Sequence, residues 1–255
     1  MSAASLFSGF TPLALAVMAA GLLLASLARG YSGFGFSALL VSSWSLVTEP
    51  ARAVALALVM EVTASVIQAF SIWRAIPWRR VAYLMGGAAL GTPAGVWLLA
   101  EAPPEAMKLG IALFVLVAAI ALLVGFRLAR QTGAAGVAAV GVVSGVANGA
   151  VAMGGLPVAL FFTADGDSPA RMRAALIAYF FLLDLMGLAF LAREELVKME
   201  TFGYAVVALP VLVIGMWLGT RHFLGATAES FRRTTLWILI GLALVGIGRV
   251  ALPAG

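Results

Sequence analysis

Two glycine-rich segments stand out in an otherwise apolar chain of 255 residues. The first contains Gly33 and Gly35, and the second contains Gly154, Gly155 and Pro157. Glycine and proline interrupt helices, and the first turn of a helix that follows an interruption has N–H groups without an intrahelical partner. Because these groups lie at the positive end of the helix dipole, they bind anions. The two segments therefore predict an anion site built from the backbone of broken helices.

Polar side chains lie close in sequence to both segments and are predicted to add hydrogen bonds to a bound anion. They are Ser37, Ser42, Ser43 and Asn148. Arg52 and Arg171, each two residues past a proline, are alternative anion ligands. Their positions near helix ends also fit interfacial arginines that set orientation in a membrane.

Two acids lie in the middle of apolar segments. Glu61 is followed by Ser65 and Gln68 on one helical stripe, and Asp184 is flanked by Phe180, Phe181 and Leu185. Ionisable groups within a membrane are costly and are functional candidates. Two roles stay open for Glu61, Gln68 and Asp184: proton coupling, or hydrogen bonding of a protonated acid to a neighbouring helix.

The composition predicts an all-α polytopic membrane protein. Hydrophobic residues make up 63% of the chain and charged residues 11%, whereas soluble domains carry about 25% charge. Residues 81–100, 109–126 and 201–220 have no charge, and each run is close to the roughly 20 residues of a membrane-spanning helix. The net charge of +5 is interpreted as setting orientation rather than as binding nucleic acid.

The sequence does not predict an enzyme, a cofactor or a metal site. The chain has no cysteine and one histidine, His222, and it contains neither a nucleotide-binding P-loop nor the His-Glu-x-x-His or Gly-x-Ser-x-Gly signatures. Among proteins without catalytic activity, a passive channel or an assembly subunit is the alternative to a transporter.

Ten apolar segments can be marked, and the distribution of Lys and Arg tests how many of them cross the membrane. If all ten cross, these residues divide eleven to five between the two sides; if the second and seventh segments are re-entrant, they divide evenly. The positive-inside rule favours the first division, with both termini on the outer side. The segments are about 9–28, 31–48, 50–72, 80–100, 107–126, 134–150, 151–164, 170–191, 201–221 and 233–251.

An internal repeat divides the chain into residues 1–132 and 133–255, two membrane repeats within one integral membrane domain. Residues 30–55 match residues 149–174 at an offset of 119, with the same order of Gly, Gly and Pro-Ala-Arg. Five segments are an odd number, so the second repeat is predicted to be inverted relative to the first. Inverted repeats with interrupted helices are typical of secondary transporters, whose substrate binds near the midplane.

These motifs resemble a known family. Residues 33–37, the segment Met153–Phe162 and the Pro-Ala-Arg-Met-Arg-Ala-Ala that begins at Pro169 are similar to the sulfite exporter TauE/SafE family of membrane permeases. The resemblance implies a multi-pass protein of the bacterial inner membrane that exports sulfite or organosulfonates. Two departures fall in the predicted site, because Ser42-Ser43-Trp44 stands where the first copy often has a proline, and Gly-Gly-Leu-Pro replaces Gly-Gly-Pro-Pro.

The function predicted from the sequence is a permease for small sulfur-containing anions that works by alternating access. Its partners are the small anionic substrate and the lipid bilayer, and a homo-oligomer is left open. The alternatives are a passive anion channel and a proton-coupled importer of other organic anions. An anion leaving a cell with a negative interior is driven by about 2.3 kcal/mol per 100 mV, so an exporter needs no coupling ion, whereas an importer does.

Overall fold

A computed structural model describes residues 6–32, 35–69, 76–125, 133–164, 169–223 and 228–251. Within these ranges the chain forms ten helices and no strand, which confirms the predicted all-helical fold class. The helices are α1 (Pro12–Ser32), α2 (Phe36–Trp44), α3 (Pro50–Ala69), α4 (Trp78–Glu101), α5 (Pro104–Leu123), α6 (Ala134–Val151), α7 (Gly155–Ala164), α8 (Pro169–Arg193), α9 (Met199–Phe223) and α10 (Ala228–Ala251).

Eight of these helices are long and apolar enough to cross a membrane. The exceptions are α2, with 9 residues, and α7, with 10. At 1.5 Å per residue they span about 14 and 15 Å, roughly half of the hydrocarbon core. The prediction of ten segments is therefore right about the number of described helices but wrong about ten full crossings, because two helices stop halfway.

The short helix α2 folds back along α1. The indole Nε1 of Trp44, at the end of α2, donates a hydrogen bond to the carbonyl oxygen of Met18, 3.1 Å away, in the first half of α1. A short connection then leads from Trp44 to Pro50, where α3 begins. Helices α1, α2 and α3 thus alternate in direction, so α2 reverses the chain without crossing the membrane.

The contacts between helices come in corresponding pairs when the first five helices are exchanged with the last five. Helix α4 packs along α6, and α9 packs along α1; in the same way, α1–α2 corresponds to α6–α7 and α3–α9 corresponds to α8–α4. The helices that occupy the same place in the two sets also touch, α3 with α8 and α5 with α10. This pattern supports a duplicated chain, while the inverted relation and the division at residues 132 and 133 stay predictions.

Glycine brings α4 and α6 into backbone contact. A Cβ atom on Gly87, Gly91 or Gly95 of α4 would clash with carbonyl oxygens of α6, and the three corresponding glycines of α6, Gly141, Gly145 and Gly149, would clash with carbonyl oxygens of α4. The partners advance together along both helices, so the two run parallel. Small residues at such positions let membrane helices approach closely, and this pair fixes α6 directly before the second interruption.

Candidate functional site

The two interrupted regions meet at one small cavity of about 20 Å³. The cavity is lined from the first interruption by Gly35, Ser37 and Ala38, and from the second by Ala152, Met153, Gly155 and Leu156. Glu61 of α3, Asn148 of α6, and Phe180 and Asp184 of α8 complete its wall. The glycine-rich segments thus contact the same space, although they are more than a hundred residues apart in the sequence.

Both half-length helices begin at this cavity. Gly35 precedes α2 with a left-handed backbone, φ 87°, and provides no side-chain cap for the N–H groups of the first turn. Helix α6 ends at Ala152, also left-handed with φ 55°, and α7 begins three residues later at Gly155. Because first-turn N–H groups have no partner within their own helix, two positive helix ends point toward one place.

A buried ion pair lies beside the first of these helix starts. The guanidinium group of Arg29, which is fully buried, lies 3.1 Å from Oε2 of Glu61. Arg29 also donates to Oγ of Ser65 at 2.7 Å, and Ser37 Oγ donates to Oε1 of Glu61 at 2.8 Å. Ser37 thereby connects the first turn of α2 to an acid in the middle of α3.

Asp184 stands on the other side of the cavity and is also buried. Its carboxylate lies next to the side chain of Asn148, whose Nδ2 donates to the carbonyl oxygen of Leu183 at 3.5 Å, and the charges of Glu61 and Arg29 act on it. The guanidinium carbon of Arg29 lies 5.4 Å from the centre of the Phe180 ring, a cation–π contact that joins α1 to α8. The polar groups of both halves therefore form one connected cluster.

Corresponding positions of the repeat supply different groups to this cluster. At the offset of 119, Arg29 corresponds to Asn148, Glu61 to Phe180, and Ser65 to Asp184. The first half contributes an ion pair, and the second contributes an amide, an aromatic ring and an acid. The cluster is therefore symmetric in position but not in chemistry.

The charges around the cavity do not balance when both acids are ionised. Among the described residues of the cluster, one arginine faces two carboxylates, which leaves one negative charge. Unpaired charge is very unfavourable in a low-dielectric interior. One proton on Glu61 or Asp184 makes the cluster neutral, and a second makes it positive.

The structure brings six of the predicted site residues together at the cavity: Gly35, Ser37, Glu61, Asn148, Gly155 and Asp184. Gly154 lies beside them, packed against Leu183 and Asn148, and its carbonyl oxygen accepts a hydrogen bond from Ser144 at 2.6 Å. Pro157, in the first turn of α7, is half-buried and is not part of the cavity wall.

Other predicted residues lie elsewhere. Ser43 donates to carbonyl oxygens of its own helix, Ser42 lines a different cavity, and Gln68 is buried toward the end of α3. Arg52 faces Glu200 at 3.9 Å near the start of α3. Gly33 and the side chain of Arg171 lie outside the described residues.

Arg29 was missed as a site residue, because the count of basic residues places it in a surface loop. One signal in the sequence points to it. Arg29 and Asn148, both polar, stand directly before the matched glycines Gly30 and Gly149. A polar residue at the same step before an interruption in both repeats indicates a position that faces the site.

In a comparison with protein families, the model described as "Sulfite exporter TauE/SafE" matches residues 17–246. Nearly the whole chain is covered, including all residues that line the cavity. No curated protein and no solved structure matches the chain. Among the described residues, no group of three His, Cys, Asp or Glu is placed to hold a metal ion.

Proposed function

The chain belongs to the sulfite exporter TauE/SafE family, and from this premise we propose that it moves small sulfur-containing anions, such as sulfite or organosulfonates, across the bacterial inner membrane. It is a multi-pass membrane transporter in its general class. The direction proposed is export, and the mechanism proposed is alternating access at the cavity where the two interruptions meet.

One observation carries this proposal: the first turns of α2 and α7 face the same cavity as the buried Arg29–Glu61 pair. An anion there would receive hydrogen bonds from backbone N–H groups of both helices, from Asn148, and from Ser37 when its hydroxyl turns away from Glu61. Such donors replace the water that the anion loses. Gly35 and Gly155 allow the close approach of backbone that this requires.

The cavity is too small for the substrate as it stands. A volume of about 20 Å³ accommodates one water molecule but not an oxyanion. Helices α2 and α7 must therefore separate before the substrate binds. The structure represents a state in which the central site is closed, and alternating access would open it to one side at a time.

The two acids favour binding of the anion when the cluster carries a proton. With Glu61 and Asp184 both ionised, the cluster repels an anion; with one protonated, Arg29 and the helix starts attract it. Low pH on the loading side therefore promotes binding, and high pH opposes it. This charge count favours a carrier whose anion binding depends on protonation over a passive channel, because a channel would be blocked by a fixed negative cluster.

Transport by the purified protein in proteoliposomes tests the proposal. Counterflow of radiolabelled sulfite and ethanesulfonate distinguishes a carrier from a channel, because only a carrier accumulates label against an internal excess of the same anion. We expect accumulation by the wild-type protein. Accumulation of carboxylates but of neither sulfur anion would overturn the substrate assignment.

Two serines of α2 provide a matched pair for the site itself. Ser37→Ala removes a hydroxyl from the cavity and from Glu61, so we expect counterflow to fall about tenfold or more. Ser43→Ala removes a hydroxyl that bonds only within its own helix, and we expect wild-type rates. Equal rates for the two variants would show that the substrate does not pass Ser37.

A further inference from the structure

A second cavity, much larger than the central one, lies at one end of the molecule between α2, α5 and α10. Its volume is about 510 Å³, within the range of roughly 300–1,000 Å³ that is typical of small-molecule sites. We call it the vestibule. Three segments line it: the end of α2 and the residues directly after it, the first half of α5, and the second half of α10. The lining residues are, in that order, Ser42, Ser45 and Leu46; Glu105, Lys108, Ile111 and Ala112; and Leu242, Ala243, Gly246, Arg249 and Val250.

Basic groups occupy the rim of the vestibule. Arg249 is exposed and donates one hydrogen bond, 2.6 Å long, to the carbonyl oxygen of Leu46. Its guanidinium has five N–H donors, so others are left for a ligand. Lys108 is half-buried and pairs with Glu105 at 2.8 Å. These three charged side chains carry one net positive charge at the rim.

The interior of the vestibule combines apolar walls with one buried hydroxyl. Ile111 and Ala112 of α5 face Leu242 and Ala243 of α10 across it. Ser42 is 6% exposed, and its Oγ has no hydrogen-bond partner among the described residues. Buried hydroxyls without a partner are uncommon and call for an explanation, and a ligand that enters the vestibule would supply one.

We propose that the vestibule binds a small soluble organic anion, such as an alkylsulfonate, whose charged group is held by Lys108 and Arg249 while its apolar part contacts the walls formed by α5 and α10. A bare inorganic anion would leave those walls unused. Ser42 and Ser37 are both on α2, so a ligand in the vestibule lies one and a half helical turns from the central cavity.

The position of the vestibule suggests a second site on the path of the substrate at one side of the membrane, and this role rests on the proposed function. The binding itself does not, because it can be measured at equilibrium without transport. A ligand that presses on α2 from the vestibule also contacts the helix that must move before the central cavity can open.

The test uses the full-length protein in nanodiscs of phosphatidylcholine and equilibrium dialysis of radiolabelled ethanesulfonate and propanesulfonate. We expect saturable binding in which the longer anion binds about fourfold more tightly, the value of one buried methylene. Arg249→Gln should weaken binding about tenfold, through loss of a charge-assisted hydrogen bond. Arg249→Lys keeps the charge and should restore most of the affinity.

Controls separate the vestibule from other anion sites. Arg193→Gln removes an exposed basic residue at the end of α8, and Ser43→Ala removes a hydroxyl that bonds within α2; neither should change the affinity for propanesulfonate. Wild-type affinity in Arg249→Gln and Lys108→Gln, or an affinity independent of chain length, would overturn the proposal.

A lipid head group is the competing source of a negative charge, and a second set of nanodiscs with phosphatidylglycerol distinguishes it. We expect propanesulfonate to bind equally well in both sets. If phosphatidylglycerol abolishes this binding and copurifies with the wild-type protein but not with Arg249→Gln, the site belongs to lipid and the proposal is wrong. Failure of counterflow with intact binding would refute the transport function alone.

Discussion

Arg29 and Glu61 form the most consequential pair of single residues in the molecule. Both are buried, and each is the other's partner at 3.1 Å. Removal of one partner from a buried pair leaves the other charge without compensation, which costs about 3 to 5 kcal/mol. A partly exposed pair such as Arg52 and Glu200, at 3.9 Å, is worth less than about 1 kcal/mol.

The first prediction compares these two pairs. Glu61→Gln should lower the free energy of unfolding by about 3 kcal/mol, because Arg29 then loses its partner at 3.1 Å and keeps only the acid of Asp184 across the cavity. Unfolding of the purified protein in mixed micelles measures the change. Arg52→Gln, the control, should change it by less than about 1 kcal/mol.

A double variant decides whether the loss comes from the pair. Arg29→Gln combined with Glu61→Gln removes both charges of the pair and should recover part of the stability. A double variant less stable than Glu61→Gln alone would show that the two residues act independently.

The second prediction concerns Asp184 and pH. Protonation of an acid in the cluster removes negative charge, so in the wild-type protein the uptake of ethanesulfonate should rise as the pH falls. Asp184→Asn fixes the uncharged form at this position, and uptake should become nearly independent of pH. Ethanesulfonate stays ionised across the range, so the substrate does not contribute to the profile.

The measurement is the initial rate of uptake into proteoliposomes at several external pH values with the internal pH held constant. A profile unchanged by Asp184→Asn would give this acid a structural role, and Glu61 would then be the remaining candidate for the proton. An Asp184→Asn protein that cannot be purified as a monodisperse sample would indicate that its contact with Asn148 stabilises the fold.

The sequence predicts the burial of Glu61 and Asp184 but not the burial of Arg29. Glu61 and Asp184 were identified as buried acids because they lie in the middle of apolar runs, and the structure buries both. Arg29 lies at the end of such a run, where a basic residue is normally at the surface. It is buried because α1 ends beside the middle of α3, and no local pattern in the sequence encodes that alignment.

At the scale of elements, close backbone contact between α4 and α6 depends on individual glycines. Gly91 packs against the carbonyl oxygen of Val142, whereas Gly86 in the same helix has open space around it. Alanine is favoured over glycine within helices by about 1 kcal/mol. The two positions therefore respond to the same substitution in opposite directions.

The third prediction uses this contrast. Gly91→Ala should lower the melting temperature, because the added methyl group forces α4 and α6 apart and exposes packed surface along both helices. Gly86→Ala should leave it unchanged or raise it slightly. Thermal unfolding followed by the loss of monodisperse protein provides the comparison, and equal shifts would mean that the two helices are not in backbone contact.

The interruptions were predictable, but the lengths of the helices that follow them were not. Glycine and proline act on the backbone locally, so Gly35 and Gly155 mark where α2 and α7 begin. The ends of these helices depend on the fold of the whole bundle. Trp44, which ends α2, is held by a carbonyl group of α1, twenty-six residues away. The charge count cannot distinguish a half-length helix from a full crossing, because both reverse the chain.

For the whole molecule, the direction of the helices gives a testable orientation. The starts of α3, α5 and α9 and the end of α10 lie on one side, together with Arg52, Lys108 and Arg249. This side carries the smaller number of basic residues, so we propose that it is the outer side. The vestibule would then open outward.

The fourth prediction tests this orientation with introduced cysteines, which is simple because the chain has none. Ser42→Cys should react with a small methanethiosulfonate reagent that carries a sulfonate group, does not cross the membrane and is applied from outside, because Ser42 lines the vestibule. Ser43→Cys should not react, because Ser43 faces α1. Mass spectrometry of the labelled protein in intact cells measures both.

Reaction of Ser42→Cys only in inverted membrane vesicles would place the vestibule on the cytoplasmic side and reverse the proposed orientation. Equal labelling of both variants would show that α2 is not oriented with Ser42 toward the vestibule and Ser43 toward α1. Ethanesulfonate added before the reagent should slow the labelling of Ser42→Cys if the vestibule is occupied.

The unequal chemistry of the two repeats has an energetic consequence. If the two halves were identical and inverted, the inward- and outward-facing forms would be related by a two-fold rotation and would have equal free energy. Here the guanidinium of Arg29 corresponds to the amide of Asn148, and the carboxylate of Glu61 corresponds to the phenyl ring of Phe180. In the proposed alternating-access cycle the two forms would therefore differ in energy, so an empty carrier would rest mostly on one face and capture its cargo more readily from there.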